Sequence, residues 1–247
     1  TQLGQLESLS GILSPGLILS FVLLGIFPLL ARKLTAVIHA RRVYAKWQKP
    51  ASFDRNLIVI GAGAGGLVAS YIAATVKAKV TLVEAHKMGG DCLNYGCVPS
   101  KALIRYGLDS HEPAFSFKTV MRRIHDIVAA IEPHDSVERY TGLGVDVVQG
   151  YARIIDPWTV EIALNTGGTR RLTTRSMVIA AGASPFVPPL PGLDDVGYVT
   201  SDTLWDAFAQ LDRAPERLVV LGGGPIGCEL AQSFARLGSQ VTQIEML

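Results

Sequence analysis

Twice in this chain an apolar run leads into a glycine-rich loop, a helical pattern, a second apolar run and a closing acid. The first copy runs Asn56-Leu57-Ile58-Val59-Ile60, Gly61-Ala62-Gly63-Ala64-Gly65-Gly66, a helix through Val76, then Lys79 to Val83 and Glu84. The second runs Leu218 to Leu221, Gly222-Gly223-Gly224-Pro225-Ile226-Gly227, a helix from Cys228 to Leu237, then Gln240 to Ile244 and Glu245. The interval from first glycine to acid is the same in both. Glycine loops alone are weak signals. Set between a strand and a helix, with an acid about 20 residues on, they predict a dinucleotide-binding βαβ unit.

Each residue type has a physical task. Gly61 permits the tight turn, Gly63 lets backbone approach a pyrophosphate, and Gly66 lets the helix pack on the strand, with Gly65 in the same loop. The helix N-terminus offers amide donors and partial positive charge to phosphate, and Glu84 can accept from ribose hydroxyls. Gly222, Gly224, Gly227 and Glu245 repeat the pattern. Two units predict two dinucleotides, a bound flavin and a diffusible nicotinamide. An acid at 245 favours a free 2′-hydroxyl, hence NADH over NADPH. Between the units, Val145 to Leu172 alternates like a small antiparallel meander, and Arg175 to Ala183 reads as a buried strand ending near Ala181 and Gly182.

The stretch Gly89-Gly90-Asp91-Cys92-Leu93-Asn94-Tyr95-Gly96-Cys97-Val98-Pro99-Ser100-Lys101 holds two of only three cysteines, the third being Cys228. A secreted disulfide scaffold would use more, so a reducing compartment with one functional pair is expected. Pro99 can open a helix, placing Cys97 where the dipole favours thiolate. Cys228 is expected on the packing face of the second nucleotide helix. The formal charge of +2 and the lack of a basic stripe exclude a nucleic-acid binder. No Cys or His spacing predicts a metal site.

From Ser8 to Ala31 there is no charge, and Leu17 to Leu30 is almost wholly apolar, bounded or bent by Pro15 and Pro28. About 20 such residues can span a bilayer. Arg32, Lys33, Arg41, Arg42, Lys46 and Lys49 follow, with no acid before Asp54. The positive flank predicts a cell-membrane protein whose remaining domains are cytoplasmic, joined by a basic juxtamembrane linker. Starting at Thr1 and stopping at Leu247 inside a strand pattern, the chain is expected to be an excerpt.

In order and wording, Gly61 to Gly66, the GGxCxxxGCVPSK core, Ala180-Ala181-Gly182 and the second glycine loop resemble the class I pyridine nucleotide–disulfide oxidoreductases. The resemblance covers about residues 54 to 247. Ile131-Glu132-Pro133-His134-Asp135-Ser136 and Phe186-Val187-Pro188-Pro189 look closest to the mercuric-reductase-like branch. The segment before is similar to the end of a VTT/DedA-like membrane domain.

The resemblance implies an α/β architecture: an FAD-binding Rossmann-like domain with a small β-meander over 51–193, then the start of an NAD(P)-binding domain over 194–247. Residues 1–50 form the transmembrane helix and linker. It implies electron flow from NAD(P)H to FAD to a Cys92–Cys97 disulfide and on to a small-molecule or protein disulfide, or a metal ion. Cys97 would face the flavin and Cys92 would exchange with the acceptor. Lys101 would approach flavin N5 and pair with Glu229. A homodimer is implied when full-length, with a carboxy-terminal domain supplying a His–Glu pair that His111, His125 and His134 do not replace. The excerpt alone is expected to be inactive. Asp91 departs from the usual threonine and is expected to raise the pKa of Cys92. The competing class is a membrane transport or scaffold protein carrying a flavoprotein redox sensor.

Overall fold

The computed structural model describes residues 15–108 and 116–245. The uncharged stretch from Ser8 to Ser14, together with His111 and Leu247, lies outside them. The chain divides into two compact units, Thr1–Pro50 and Ala51–Leu247.

In the first unit, helix α1 runs Pro15–Tyr44. Pro15 opens it, as a residue without a useful N–H can at a first turn. Pro28 neither bounds nor ends it, since one missing backbone donor is tolerated when both flanks are strongly helical. The basic stretch from Arg32 is therefore helical as far as Tyr44. Within it, Ile18–Tyr44 is long and apolar enough to cross a membrane.

In the second unit, the first glycine loop joins β1 (Arg55–Ile60) to α2 (Ala64–Thr75), which returns to β2 (Val80–Glu84). The chain then forms α3 (Gly90–Asn94), α4 (Cys97–Leu108), α5 (Phe117–Ile131), a 3-10 turn (Glu132–Asp135) and α6 (Val137–Gly142). The meander comprises β3 (Asp146–Asp156), β4 (Thr159–Leu164) and β5 (Thr169–Ile179). After α7 (Leu204–Ala209), the second glycine unit comprises β6 (Arg217–Leu221), α8 (Pro225–Arg236) and β7 (Gln240–Ile244).

Strands β3 and β5 each serve two sheets. The first part of β3 lies parallel to β2, and the end of β5 lies parallel to β1, giving the parallel order β3-β2-β1-β5. Their other halves pair antiparallel with β4, so the ladder closes on itself. The last strand of the meander and the strand expected separately after it are thus one continuous β5, which ends at Ile179 rather than Ala183. Its residues from Arg175 onward are exposed or half-buried rather than buried, because only β1 pairs with them.

Ile58 and Val59 on β1, and Leu82 and Val83 on β2, are fully or almost fully buried, as strands covered on both faces require. A separate core joins α4, α5, α7 and α8 through Leu103, Val120, Met121, Ile124, Leu204, Trp205 and Phe234. Helix α8 of the second glycine unit thus packs beside α4, the helix that Cys97 begins.

Candidate active site

The first glycine loop is shaped by contacts that exclude a side chain. Gly61 has φ +100°, and a Cβ on it would stand 2.2 Å from the Ala180 carbonyl oxygen. A Cβ on Gly66 would lie 1.7 Å from the Gly61 oxygen, so helix α2 can seat only a glycine there. Gly63 caps α2 in extended backbone. A Cβ on Gly90 would come 2.6 Å from the Gly63 Cα, so the cysteine stretch and the nucleotide loop meet backbone to backbone.

Glu84 lies at the end of β2 and fixes this loop. Its Oε2 accepts from the Ala62 amide at 2.6 Å and its Oε1 from the His86 amide at 2.8 Å. The sequence pointed this carboxylate at ribose hydroxyls. Its oxygens here hold the loop, yet each retains a lone pair for a further donor.

These elements enclose a cavity of about 1230 Å³. Gly61, Gly63, Gly65, Glu84, Gly90, Asp91, Cys92, Ala181 and Gly182 all line it. Gly66 is buried beneath the loop. The open N-terminus of α2, with no side-chain cap, directs first-turn amides toward this loop. Cavity, glycine cradle and helix end fit an extended dinucleotide such as FAD. Sequence reasoning missed Tyr95, Asp202 and Asp206, which also line the wall. Tyr95 lies inside the cysteine stretch, between α3 and α4, while Asp202 and Asp206 come from the turn before α7 and its first turn and belong to no motif of their own.

Asp91 points to Gly182, on which a Cβ would sit 3.3 Å from Asp91 Oδ2. Burial raises its pKa, and the charges of Asp202 and Glu84 add to the rise.

The dithiol turn is held by its own backbone and by Asn94. Gly89 caps α3 in the left-handed region at φ +83°. Asn94 Nδ2 donates to the carbonyls of Met88 and Gly90 at 3.0 and 2.9 Å. The Tyr95 and Gly96 amides converge on the Asp91 carbonyl at 2.9 and 2.5 Å.

Cys92 is half-buried and Cys97 exposed, both as free thiols. Cys92 lines the cavity, whereas Cys97 stands behind it at the first residue of α4 and is not among the lining residues. The Cys92 thiol is pushed up to about 11. Burial is the main cause, followed by the Cys97 thiol that hydrogen-bonds it; Asp135 adds a smaller charge effect and the Cys97 backbone opposes the rise. Asp91, expected to be responsible, is not among the causes. The acid that reaches Cys92 is Asp135, 43 residues further on and invisible to local reading.

Lys101 on α4 and Glu229 on α8 are paired, Nζ lying 2.8 and 2.6 Å from the two carboxylate oxygens. Lys101 is not part of the cavity wall. In the second glycine loop, Gly222 has φ +116° and a Cβ on Gly227 would be 2.2 Å from the Gly222 oxygen. Gly224 caps α8, and Glu245 Oε2 accepts from the Gly223 amide. Gly222, Gly224 and Gly227 line a second groove of about 870 Å³.

Cys228 corrects the reading of it as a packed residue. It is exposed, its thiol facing the Gly223 carbonyl at 3.3 Å, while Ala231, Ser233 and Phe234 form the buried face of α8. His125 and His134 have surface partners, Nε2 of the first 3.5 Å from Asp206 and Nδ1 of the second 2.9 Å from Arg139.

Residues 55–247 match the family described as pyridine nucleotide-disulphide oxidoreductase. The chain belongs to this family. Its members use FAD and NAD(P)H. The chain is 38% identical over 205 residues to a mercuric reductase of Streptomyces lividans, covering 76% of this chain and 42% of that protein. It is 35% identical over 233 residues to a dihydrolipoamide dehydrogenase of Chaetomium thermophilum, covering 87% and 44%. Among solved structures it is similar to the Cu(II) complex of a variant of the HOCl-induced flavoprotein disulfide reductase RclA from Escherichia coli. That match has TM-score 0.69 and 27% identity, covering 78% of this chain and 43% of that one. The chain spans less than half the length of these relatives.

Proposed function

We propose that this chain forms the flavin, dithiol and first nicotinamide-binding elements of an FAD-dependent NAD(P)H oxidoreductase whose acceptor is a disulfide or a metal ion. One observation carries the reading: the glycine loop suited to a diphosphate and Cys92 share one cavity wall. FAD, when bound, supplies the two-electron relay between nicotinamide and disulfide. The disulfide of Cys92 and Cys97 takes two electrons and two protons to become two thiols.

Gly61, Gly63, Gly65 and Gly66 with α2 would hold the diphosphate, Glu84 the loop and adenosine ribose, and Ala181 and Gly182 the opposite wall. Gly222, Gly224, Gly227 and Glu245 would receive the nicotinamide dinucleotide, NADH by the acid at 245. Cys97, at the start of α4, is assigned the charge-transfer thiolate that faces the flavin, because a helix N-terminus stabilises that charge, although of the two free thiols it is Cys92 that lines the cavity. Cys92 would exchange with the acceptor. Its raised pKa, caused first by burial and then by the Cys97 thiol, means that this thiol holds its proton at neutral pH. Lys101 and Glu229 would tie the redox helix to the nicotinamide-binding helix. We assign 51–193 to the FAD domain and 194–247 to the nicotinamide domain.

The mercuric reductase and the flavoprotein disulfide reductase to which the chain is similar support a metal-ion or a disulfide acceptor respectively. The length and hydropathy of α1 support membrane anchoring, and its basic carboxy-terminal half supports a cytoplasmic flavoprotein. A homodimer is part of the same reading. Anaerobic titration of the whole protein with NADH should bleach the flavin absorbance in stoichiometric steps. An unchanged spectrum would contradict the proposal.

A further inference from the structure

Tyr95 lies between the two cysteines, at the junction of α3 and α4. Its carbonyl sits where an α-helix would expect a donor four residues on, and that residue is Pro99, which has no N–H. The neighbouring carbonyl of Gly96 is served by the Ser100 amide at 2.9 Å. That of Tyr95 is served from 110 residues away: Trp205 Nε1 donates to it at 2.7 Å. Trp205 is 4% exposed, and its ring belongs to the core built by α4, α5, α7 and α8. The indole is therefore a rigid donor. Helix α3 has only five residues, too short to hold its own shape.

We propose that Trp205 is a positioning residue of the dithiol, its indole N–H fixing the Tyr95 carbonyl and thereby the turn that sets Cys92 against Cys97. The consequence for electron transfer rests on the redox reading above, but the positioning itself concerns only the thiols of this chain. Without the bond, the turn loosens and Cys92 loses the burial and the Cys97 contact that keep it protonated. The titratable groups acting on Cys92 are Cys97 from α4 and Asp135 from the 3-10 turn. Neither residue is itself replaced in Trp205→Phe.

The test is the pH–rate profile of Cys92 alkylation by iodoacetamide in the reduced, full chain, resolved by peptide mass spectrometry. Trp205→Phe keeps an aromatic ring in the core and removes the donor together with part of the ring's volume, so a second core substitution is needed as control. Its Cys92 profile should move to lower pH, and labelling near pH 8 should be about tenfold faster if the thiol becomes ten times more acidic. Phe208→Leu, which alters the same helix and its edge contact with Phe234, provides the structural control. It should lower thermal stability without moving the profile. An unmoved profile in Trp205→Phe, or an equal displacement in Phe208→Leu, would overturn the assignment. The failure of FAD binding or NADH oxidation would leave this result intact, so the two readings fail separately.

Discussion

The two glycine units are alike in the backbone of their first and last glycines and in the anchoring of the loop by the closing acid, and unlike in what surrounds them. In both, the first glycine is left-handed, the last leaves no room for a Cβ, and the closing acid accepts the amide after the first glycine. The first unit sits inside a four-stranded parallel sheet, with β5 on the far side of β1. The second is a two-stranded pair whose strand residues are all exposed or half-buried. A Cβ on Gly61 would collide with Ala180, while one on Gly222 would meet nothing within 4 Å. Local sequence thus makes each loop, and in the first unit the end of β5 and the dithiol turn add the walls of a cavity. Only the first unit has the dithiol turn and the end of β5 to wall a cavity containing a thiol.

This contrast should appear first in Gly66→Ala against Gly227→Ala. The first is buried with a 1.7 Å clash and should cost about 3 kcal/mol; the second, half-buried with a 2.2 Å clash, about 1 kcal/mol. Chemical denaturation measures both, and equal losses would break the contrast. Next, Glu84→Ala should cost about 1.5 kcal/mol by freeing the Ala62 and His86 amides, and Glu245→Ala less than half of that. A larger loss at 245 would show the second loop to be the tighter one.

The acid limb gives a smaller effect confined to the first sheet. Asp146 is raised by burial, but hydrogen bonds from Arg170, Arg55 and Thr81 outweigh this and lower its pKa. A folded pKa below the unfolded one means the stabilisation is present above about pH 4 and lost as pH falls further. Melting temperature should fall in that window, and less steeply in Asp146→Asn. An identical slope in the two proteins would show that the network contributes no proton linkage. The smallest effect belongs to Lys101→Met. Its pair with Glu229 is 59% and 35% exposed in the side chains, so the stability change should stay below about 1 kcal/mol by thermal unfolding. A larger loss would mean that the α4–α8 packing depends on it.

What could be read in the sequence was what depends on near neighbours. Both glycine loops, their strands and the start of α4 at Cys97 follow from backbone limits that glycine and proline announce. The Lys101–Glu229 pair, 128 residues apart, was accessible only through family resemblance. Three features escaped because their causes lie far along the chain: Asp135 acting on Cys92, Trp205 supplying the donor that Pro99 lacks, and the exposed setting of Cys228. The dual pairing of β3 and β5 was also hidden, since alternation predicts strands without naming their partners. Of the two prolines expected to bound or bend the apolar segment, Pro28 does not bound it, because a single lost hydrogen bond does not stop so long an apolar helix.

The central claim is that one cavity brings a flavin and the Cys92–Cys97 pair into electronic contact. It is tested most directly by counting electrons. The full chain, reconstituted with FAD in detergent and oxidised, should consume four electrons per bound flavin in anaerobic dithionite titration, two for the flavin and two for the disulfide. Cys92→Ser should consume two. Failure to bind FAD, or the same count in both proteins, would contradict the account.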